Sequence, residues 1–258
     1  MLRRWARHWL RSCRAMPAEA LALIEDAAQE PDRRIHAFRR LMKAWRALLR
    51  LAPDALADEA RALRAEVGAL RRAFGASRDA AVVAGTLRRF LPEQVNPPEV
   101  EPRSDPLPLD VVRGRLEDLT AMMQRWTVAR AEGDFLLDGF RRTYRRARRS
   151  LRDDPREMSV GRLHAWRTAV VDLGYQLGFF APADPARLEP RRAAAERLRS
   201  HLGSIIDLDM ARGHLAGTIP ARRRRQVEKK LGHGIATRRR KAARIAEQLL
   251  DKRPRVIC

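Results

Sequence analysis

The sequence predicts an all-helical protein, and three observations predict it. Alanine, leucine and arginine dominate the 258 residues, and all three are strong helix formers. Runs of β-branched residues are absent, so nothing favours a sheet. Apolar residues recur at intervals of three and four, with glycines and prolines at the joints between periodic stretches. A chain of this length can bury a real core, in one large domain or two small ones.

Taken in order, the pattern places helices at 3–14, 18–29, 32–51, 55–74, 78–91, 109–130, 134–152, 159–180, 185–202, 205–216 and 220–251. Pro17 marks the first joint. The N-terminus, "MLRRWARHWLRSCRAMP", has the arginines of a signal n-region but no apolar h-region, and is not read as a signal peptide. Pro31 sits at the joint before the third segment. Gly75 and Gly203 read as helix breakers, each followed four residues later by an aspartate, Asp79 and Asp207. Those two aspartates suit N-caps of new helices; the alternative is that they orient a nearby Arg or His. In 109–130 the seam Leu109, Val112, Leu116, Leu119, Met123 ends on Trp126. Trp45, Trp126 and Trp166 all lie on apolar seams, which favours core over base stacking. The last segment carries runs such as "ARRRRQVEKK" and reads as a solvated basic helix.

The long break is "PEQVNPPEVEPRSDPLP", Pro92 to Pro108, with six prolines and four acids. It reads as an extended connector of little core value. The division is therefore 1–91 (with an N-terminal arm 1–17), connector 92–108, 109–217, and a basic C-terminal helix 218–258. The flanking halves repeat. At an offset of 128, His36 falls on His164, Phe38 on Trp166, Arg39 on Arg167, Arg64 on Arg192, Arg71 on Arg199, Gly75 on Gly203 and Asp79 on Asp207. Helical leucines align by chance, but His, Gly and Asp do not align so easily at one offset. Two copies of a helical unit with approximate two-fold symmetry are expected.

The formal net charge is +22 and the pI about 11.5. Such a surplus points to a polyanionic partner through the summed field. Only five of the cations are lysine. Arginine is the better fork for phosphate oxygens, although a GC-rich genome also favours arginine. Pro220 to Cys258 holds fourteen Lys/Arg against three acids, half of the surplus. Two distant cysteines, Cys13 and Cys258, do not make a disulfide framework and suit a cytosolic home. No apolar run approaches the length of a membrane span.

The other half of the surplus is patterned. In "RIHAFRRLMKAWRALLR", Arg34 to Arg50, the residues Ile35, Phe38, Met42, Trp45 and Leu49 follow the rhythm of a packed seam. His36, Arg39, Lys43, Arg46 and Arg50 keep the same rhythm one residue later. A straight basic stripe thus lies about 100° around from the core stripe. Within 34–50 no acid stands at i±4 to neutralise it. The next helix carries Arg64, Arg71 and Arg78 at seven-residue spacing. Either these cations pair with acids of other helices, or they line a groove that grips a linear polyanion, phosphate after phosphate. Histidine donates to phosphate at neutral pH and does so better when protonated.

At these residues the chain resembles the conserved histidine α-helical domain, or CHAD, family. That signature is a helix with histidine and then basic residues at +3, +4, +7 and +10, matched here by His36, Arg39, Arg40, Lys43 and Arg46. A Gly-x-x-Arg-Asp-like turn is matched by "GASRD", Gly75 to Asp79. The second half matches through "LHAWR", "YQL" and "LGSIIDLD", and "FRRTYRRARRSLRDDP", Phe140 to Pro155, resembles the helix leading into it. The resemblance covers about residues 18–217 and implies two pseudo-symmetric four-helix bundles with a basic central groove or pore. The implied ligand is inorganic polyphosphate, bound without catalysis. The implied setting is bacterial phosphate metabolism in the cytoplasm, at polyphosphate granules, with a triphosphate tunnel enzyme of the CYTH type as partner. The Glu-x-Glu-x-Lys strands of such an enzyme have no counterpart here.

The second copy departs from the pattern. Its stripe reads His164, Arg167, Val171, Gly174 and Gly178, and Thr168 stands where a lysine is usual, while its core stripe is intact. An asymmetric site is expected, with the first repeat carrying most of the affinity. Compensation is expected from Arg141, Arg145 and Arg149, and from Arg192 and Arg199. The histidines His8, His201, His214 and His233 read as surface or packing residues, and the six show no metal-ligand spacing. No cofactor, metal or catalytic constellation is expected, and no membrane contact. The competing function is nucleic-acid binding, which the charge favours at low salt. Against it, aromatics make up only 5% and do not interleave with the cations.

Overall fold

The computed structural model of the chain describes residues 2–74, 83–91, 107–127, 134–152, 154, 155, 157–215 and 220–250. The GASRD turn, with Arg78 and Asp79, and most of the proline-rich connector lie outside them. Among the described residues the long elements are all α-helices: α1 Leu2–Glu25, α2 Pro31–Leu49, α3 Ala57–Ala73, α4 Leu109–Gln124, α5 Asp134–Arg149, α6 Val160–Phe180, α7 Pro185–Gly213 and α8 Ala221–Leu250. Residues 83–88 are also helical. None of these helices is long and apolar enough to cross a membrane.

Three expected boundaries do not survive. The joint at Pro17 is absent, and α1 runs through it. Ala6, Trp9, Cys13, Met16, Ala20 and Ile24 form one buried stripe on both sides of the proline. A break there would take Ala20 and Ile24 out of register, so packing offsets the roughly 3 kcal/mol of an interior proline. The joint at Gly203 is also absent. Leu198, Leu202 and Ile205 are fully buried on one continuous stripe. Asp207 therefore lies inside α7 and is not an N-cap. Finally, α4 stops at Gln124 instead of 130. Arg14 explains the stop, donating from Nε to the Met123 carbonyl (3.2 Å) and from Nη2 to those of Gln124 (2.9 Å) and Trp126 (2.6 Å). A cation on the last carbonyls satisfies them and complements the negative end of the helix dipole.

Other boundaries follow local chemistry. Pro31 opens α2 and Pro185 opens α7, where a missing N–H costs nothing. Ser159 caps α6 by accepting from the Arg162 N–H, and Asp184 caps α7 by accepting from Arg187 N–H at 3.2 Å.

The described helices fall into two compact units whose limits differ from the division at the proline-rich connector. One unit takes the residues up to 74 together with 107–143; the other takes 83–91 and 144–250. Helix α5 contributes to both, changing over between Thr143 and Tyr144.

In the first unit α1 packs on α2 and α4, and α2 packs on α3. Trp9 stacks on Trp126 with centroids 6.0 Å apart and meets Phe135 edge-on at 5.5 Å. Its Nε1 donates to the buried Leu48 carbonyl at 2.8 Å, so the burial of this indole leaves no unmet donor. Gly139 lets α5 pass the chain at Leu51. A Cβ there would come within 2.7 Å of Leu51 Cα, which no side chain can do without moving backbone. Cys13 is fully enclosed, and burial pushes its thiol far above the ordinary range.

In the second unit α7 packs between α6 and α8. The C-terminal helix is thus no solvated arm: it buries Val227, Leu231, Ala242, Ala246, Leu249 and Leu250. Val83, Leu87 and Leu91 share a core cluster with Leu208, Ala211, Leu215, Val227 and Leu231. Arg146 pairs with Asp172, which is buried.

Candidate functional site

In the first unit the packed seam of α2 is as the rhythm requires. Phe38, Met42, Trp45 and Leu49 are fully buried. The basic stripe beside it is graded. His36 and Arg40 are exposed, Lys43, Arg46 and Arg50 half-buried, and Arg39 buried. Arg39 reaches the C-terminus of α3, where its Nη1 donates to the carbonyls of Phe74 (2.8 Å) and Arg71 (3.1 Å). That nitrogen is committed to closing a helix end, as Arg14 does for α4.

The neighbouring arginine behaves differently. A Cβ placed on Gly68 of α3 would lie 3.5 Å from both Cζ and Nε of Arg46, and 3.4 Å from Nη1 of Arg72. Two guanidinium groups therefore converge over one glycine. The Nε of Arg46 is buried there without a hydrogen-bond partner. At about 7 Å, the widest separation these distances allow, two unit charges repel by about 0.6 kcal/mol in water and about 2.4 kcal/mol at an effective dielectric near 20. An oxyanion between them would reverse the sign. Arg72 was not on the predicted stripe; its signal was Gly68 one turn before it, a position with no side chain to shield it. Arg64 and Arg71 are half-buried on the same helix.

In the second unit, positions 128 residues on are differently employed. His164 and Thr168 are exposed, and the threonine Oγ1 donates to the His164 carbonyl at 3.0 Å. Arg167 lies over Gly203, whose Cβ would fall 3.3 Å from its Nε and 3.4 Å from its Nη2. Because α7 continues there, Arg167 has no helix end to close, unlike Arg39. Gly174 faces Ala195 and Gly178 faces the stem of Arg192, with virtual Cβ distances of 3.7 and 3.3 Å. At both glycines helix packs closely against helix.

Arg192 and Arg199 are each matched within their own helix. Arg192 Nε donates to Glu189 Oε2 at 2.6 Å, and Arg199 Nε to Glu196 Oε2 at 2.9 Å. The sequence already held this signal at i−3. The corresponding residues before Arg64 and Arg71 are Arg61 and Gly68, neither of them acidic.

Helix α5 divides its arginines. Arg141 pairs with Asp138 in the first unit, at 2.9 Å. In the second, Arg145 and Arg149 are exposed. On α8 the exposed cations Arg222, Lys229, Arg240 and Arg244 follow the side away from its buried stripe.

The model of the CHAD domain family matches residues 11–216. The chain belongs to the CHAD family. No curated protein and no solved structure matches it. The CHAD match takes in both pairs of cation-bearing helices, α2–α3 and α6–α7, and ends before α8. Within this CHAD domain the histidine of each motif, His36 and His164, stands exposed at the start of its helix, beside its apolar seam. Among the described residues no three His, Cys, Asp or Glu side chains come together in a way that would hold a metal ion.

Proposed function

We propose that this CHAD protein binds inorganic polyphosphate as an extended polyanion and does not transform it. The two helical repeats each supply a basic stripe, lining a groove in two pseudo-symmetric bundles, and the first stripe carries most of the affinity. The single observation behind the reading is the convergence of Arg46 and Arg72 over Gly68, with Arg46 Nε buried and unmatched. Guanidinium groups fork onto phosphate oxygens with two parallel hydrogen bonds. Flanking cations on α2 and α3, His36, Arg40, Lys43, Arg50, Arg64 and Arg71, then extend the seat along the chain of phosphates. Arg39 contributes by holding the end of α3 in place.

Binding is measured by competition. Long-chain polyphosphate is expected to displace single- and double-stranded nucleic acid at moderate salt, and not the reverse. Each phosphate engaged releases counter-ions, so eight contacts give a slope of log K against log salt of about −5 to −6, by analogy with single strands. Nucleic acid displacing polyphosphate would favour the competing reading, for which the exposed cations of α8 speak. Shortening of polyphosphate during incubation would reinstate an enzyme. The reading includes action in the cytoplasm, at polyphosphate granules, alongside other proteins of polyphosphate metabolism.

A further inference from the structure

Helices α7 and α8 pack antiparallel, and their contacts share one register. Leu215 and Val227, and Ala211 and Leu231, belong to one buried cluster. A Cβ on Gly234 would lie 3.4 Å from Leu208 Cδ1. At the other end Arg191 Nη2 donates to the Leu249 carbonyl at 3.3 Å. This register sets His201 level with Lys241, and Arg238 one turn before it. Arg238 Nη1 folds onto its own helix, donating to the Gly234 carbonyl at 3.2 Å.

Three basic groups thus meet at one seam, and among the described residues the positions one turn away hold no acid; the nearest acids of α7 are Glu196, paired with Arg199, and Asp207. One turn from His201 stand Arg197 and Ser204; one turn from Lys241 stand Arg238, Thr237 and Arg244. From α6 the charged groups at this level are Arg167, over Gly203, and Asp172, which is paired with Arg146. His201 is held below the ordinary imidazole pKa by partial burial, then by Lys241 and Arg238. An anion seated beside the two cations would favour the protonated imidazole.

We propose that the α7–α8 seam at His201, Arg238 and Lys241 is a second phosphate-binding seat, separate from the arginine pair over Gly68. Its ligand is a phosphate-type oxyanion, either a small free one or one phosphoryl unit of a longer chain. Lys241 supplies a point charge, Arg238 a planar donor, and His201 an N–H that gains a second when protonated. Lys241 lies beyond the residues matched by the family, so the seat depends on what α8 adds to the domain. It does not rest on the polyphosphate reading.

The test follows the His201 imidazole by NMR in the full chain, its resonance assigned with His201→Gln. Saturating inorganic pyrophosphate is expected to raise the His201 titration midpoint by about one pH unit, which is about tenfold in proton affinity. By linkage, pyrophosphate then binds up to about tenfold tighter below that midpoint than above it. The shift persists in Arg46→Glu and disappears in the double variant Arg238→Gln/Lys241→Gln. A shift with long-chain polyphosphate alone assigns the seat to a unit of the chain; a shift with pyrophosphate as well assigns it to small anions too. No shift with either, a shift that survives the double variant, or one lost in Arg46→Glu overturns the seat. Full polyphosphate affinity in Arg46→Glu would sink the arginine-pair reading and leave this one standing.

Discussion

Over Gly68, in the α2–α3 pair, stand two arginines. At the positions 128 residues on, the α6–α7 pair has Gly174 where Arg46 stands and Glu196 where Gly68 stands. The cation has become a glycine and the glycine an acid. The apolar stripes, by contrast, are kept: Phe38, Met42, Trp45 and Leu49 are fully buried in one pair, and Trp166, Val170, Leu173 and Leu177 are buried in the other. Packing tolerates few substitutions because each buried side chain fills a fixed volume. A half-exposed charge is tied to its neighbours only through a screened field. Two helix pairs can therefore have alike apolar seams and still differ at single cations, with Arg46 and Arg72 converging in one and Arg192 and Arg199 matched to acids in the other.

The largest expected effect breaks this comparison outright. Lys43→Glu/Arg46→Glu removes two charge-assisted contacts and adds two repulsions. Polyphosphate affinity is expected to fall about a thousandfold, near 4 kcal/mol, and Arg167→Glu less than tenfold. Isothermal titration of the two variants decides it, and equal losses would end the asymmetry.

Next comes the buried acid of the second unit. The side chain of Asp172 is 7% exposed and that of its partner Arg146 33%. Asp172→Ala strands a cation that reaches water only in part, and costs about 3 kcal/mol in a chemical denaturation experiment. At the corresponding position of the first unit stands Ala44, and Ala44→Asp tests whether the first unit accepts such an acid.

A smaller effect sharpens the comparison at one residue. Gly68→Glu gives the first unit the acid of the second. Its carboxylate competes for Arg46 and Arg72, and polyphosphate affinity is expected to drop about tenfold, or 1.4 kcal/mol. Gly68→Ala adds only ordinary contacts at 3.4–3.5 Å, so its affinity stays near that of the parent. In the reverse direction, Glu196→Gln frees Arg199 and raises affinity a few-fold. Its stability changes by less than about 1 kcal/mol, since this ion pair is largely solvated.

The smallest effect is a pH dependence. The His201 pKa is lowered in the folded chain, so protonation favours the unfolded one. The stability is present in full above the ordinary value of about 6.5 and declines as the pH falls through it. Between pH 7.5 and 5.5 the melting temperature of the parent should fall more than that of His201→Gln, by no more than about 1 °C because the ring is mostly solvated.

How much was legible varies by residue. The seam of α2 was legible because helical periodicity repeats every turn, and each of Phe38, Met42, Trp45 and Leu49 reports the same face. The role of Arg39 was not. Its stripe position is the same in kind as that of Arg46, and only the end of α3 at Phe74, 35 residues away, turns it inward. The pairings Arg192–Glu189 and Arg199–Glu196 were open to view at i, i+3, whereas Arg146–Asp172 spans 26 residues and two helices. The breaks at Pro17 and Gly203 were misplaced because local propensity weighs a few kcal/mol and a continuous buried stripe weighs more.

By itself, the sequence determined what depends on near neighbours: the all-helical class, the faces that seek burial, and an excess of positive charge with arginine as its carrier. These rest on propensities and periods that act within a few residues. The tertiary structure alone decided which cations remain available. Whether an arginine closes a helix, meets an acid, or stands with another arginine over a glycine depends on groups far away in the chain. Charge and hydrogen bonding act through distance in space, and the linear order of residues does not contain that distance.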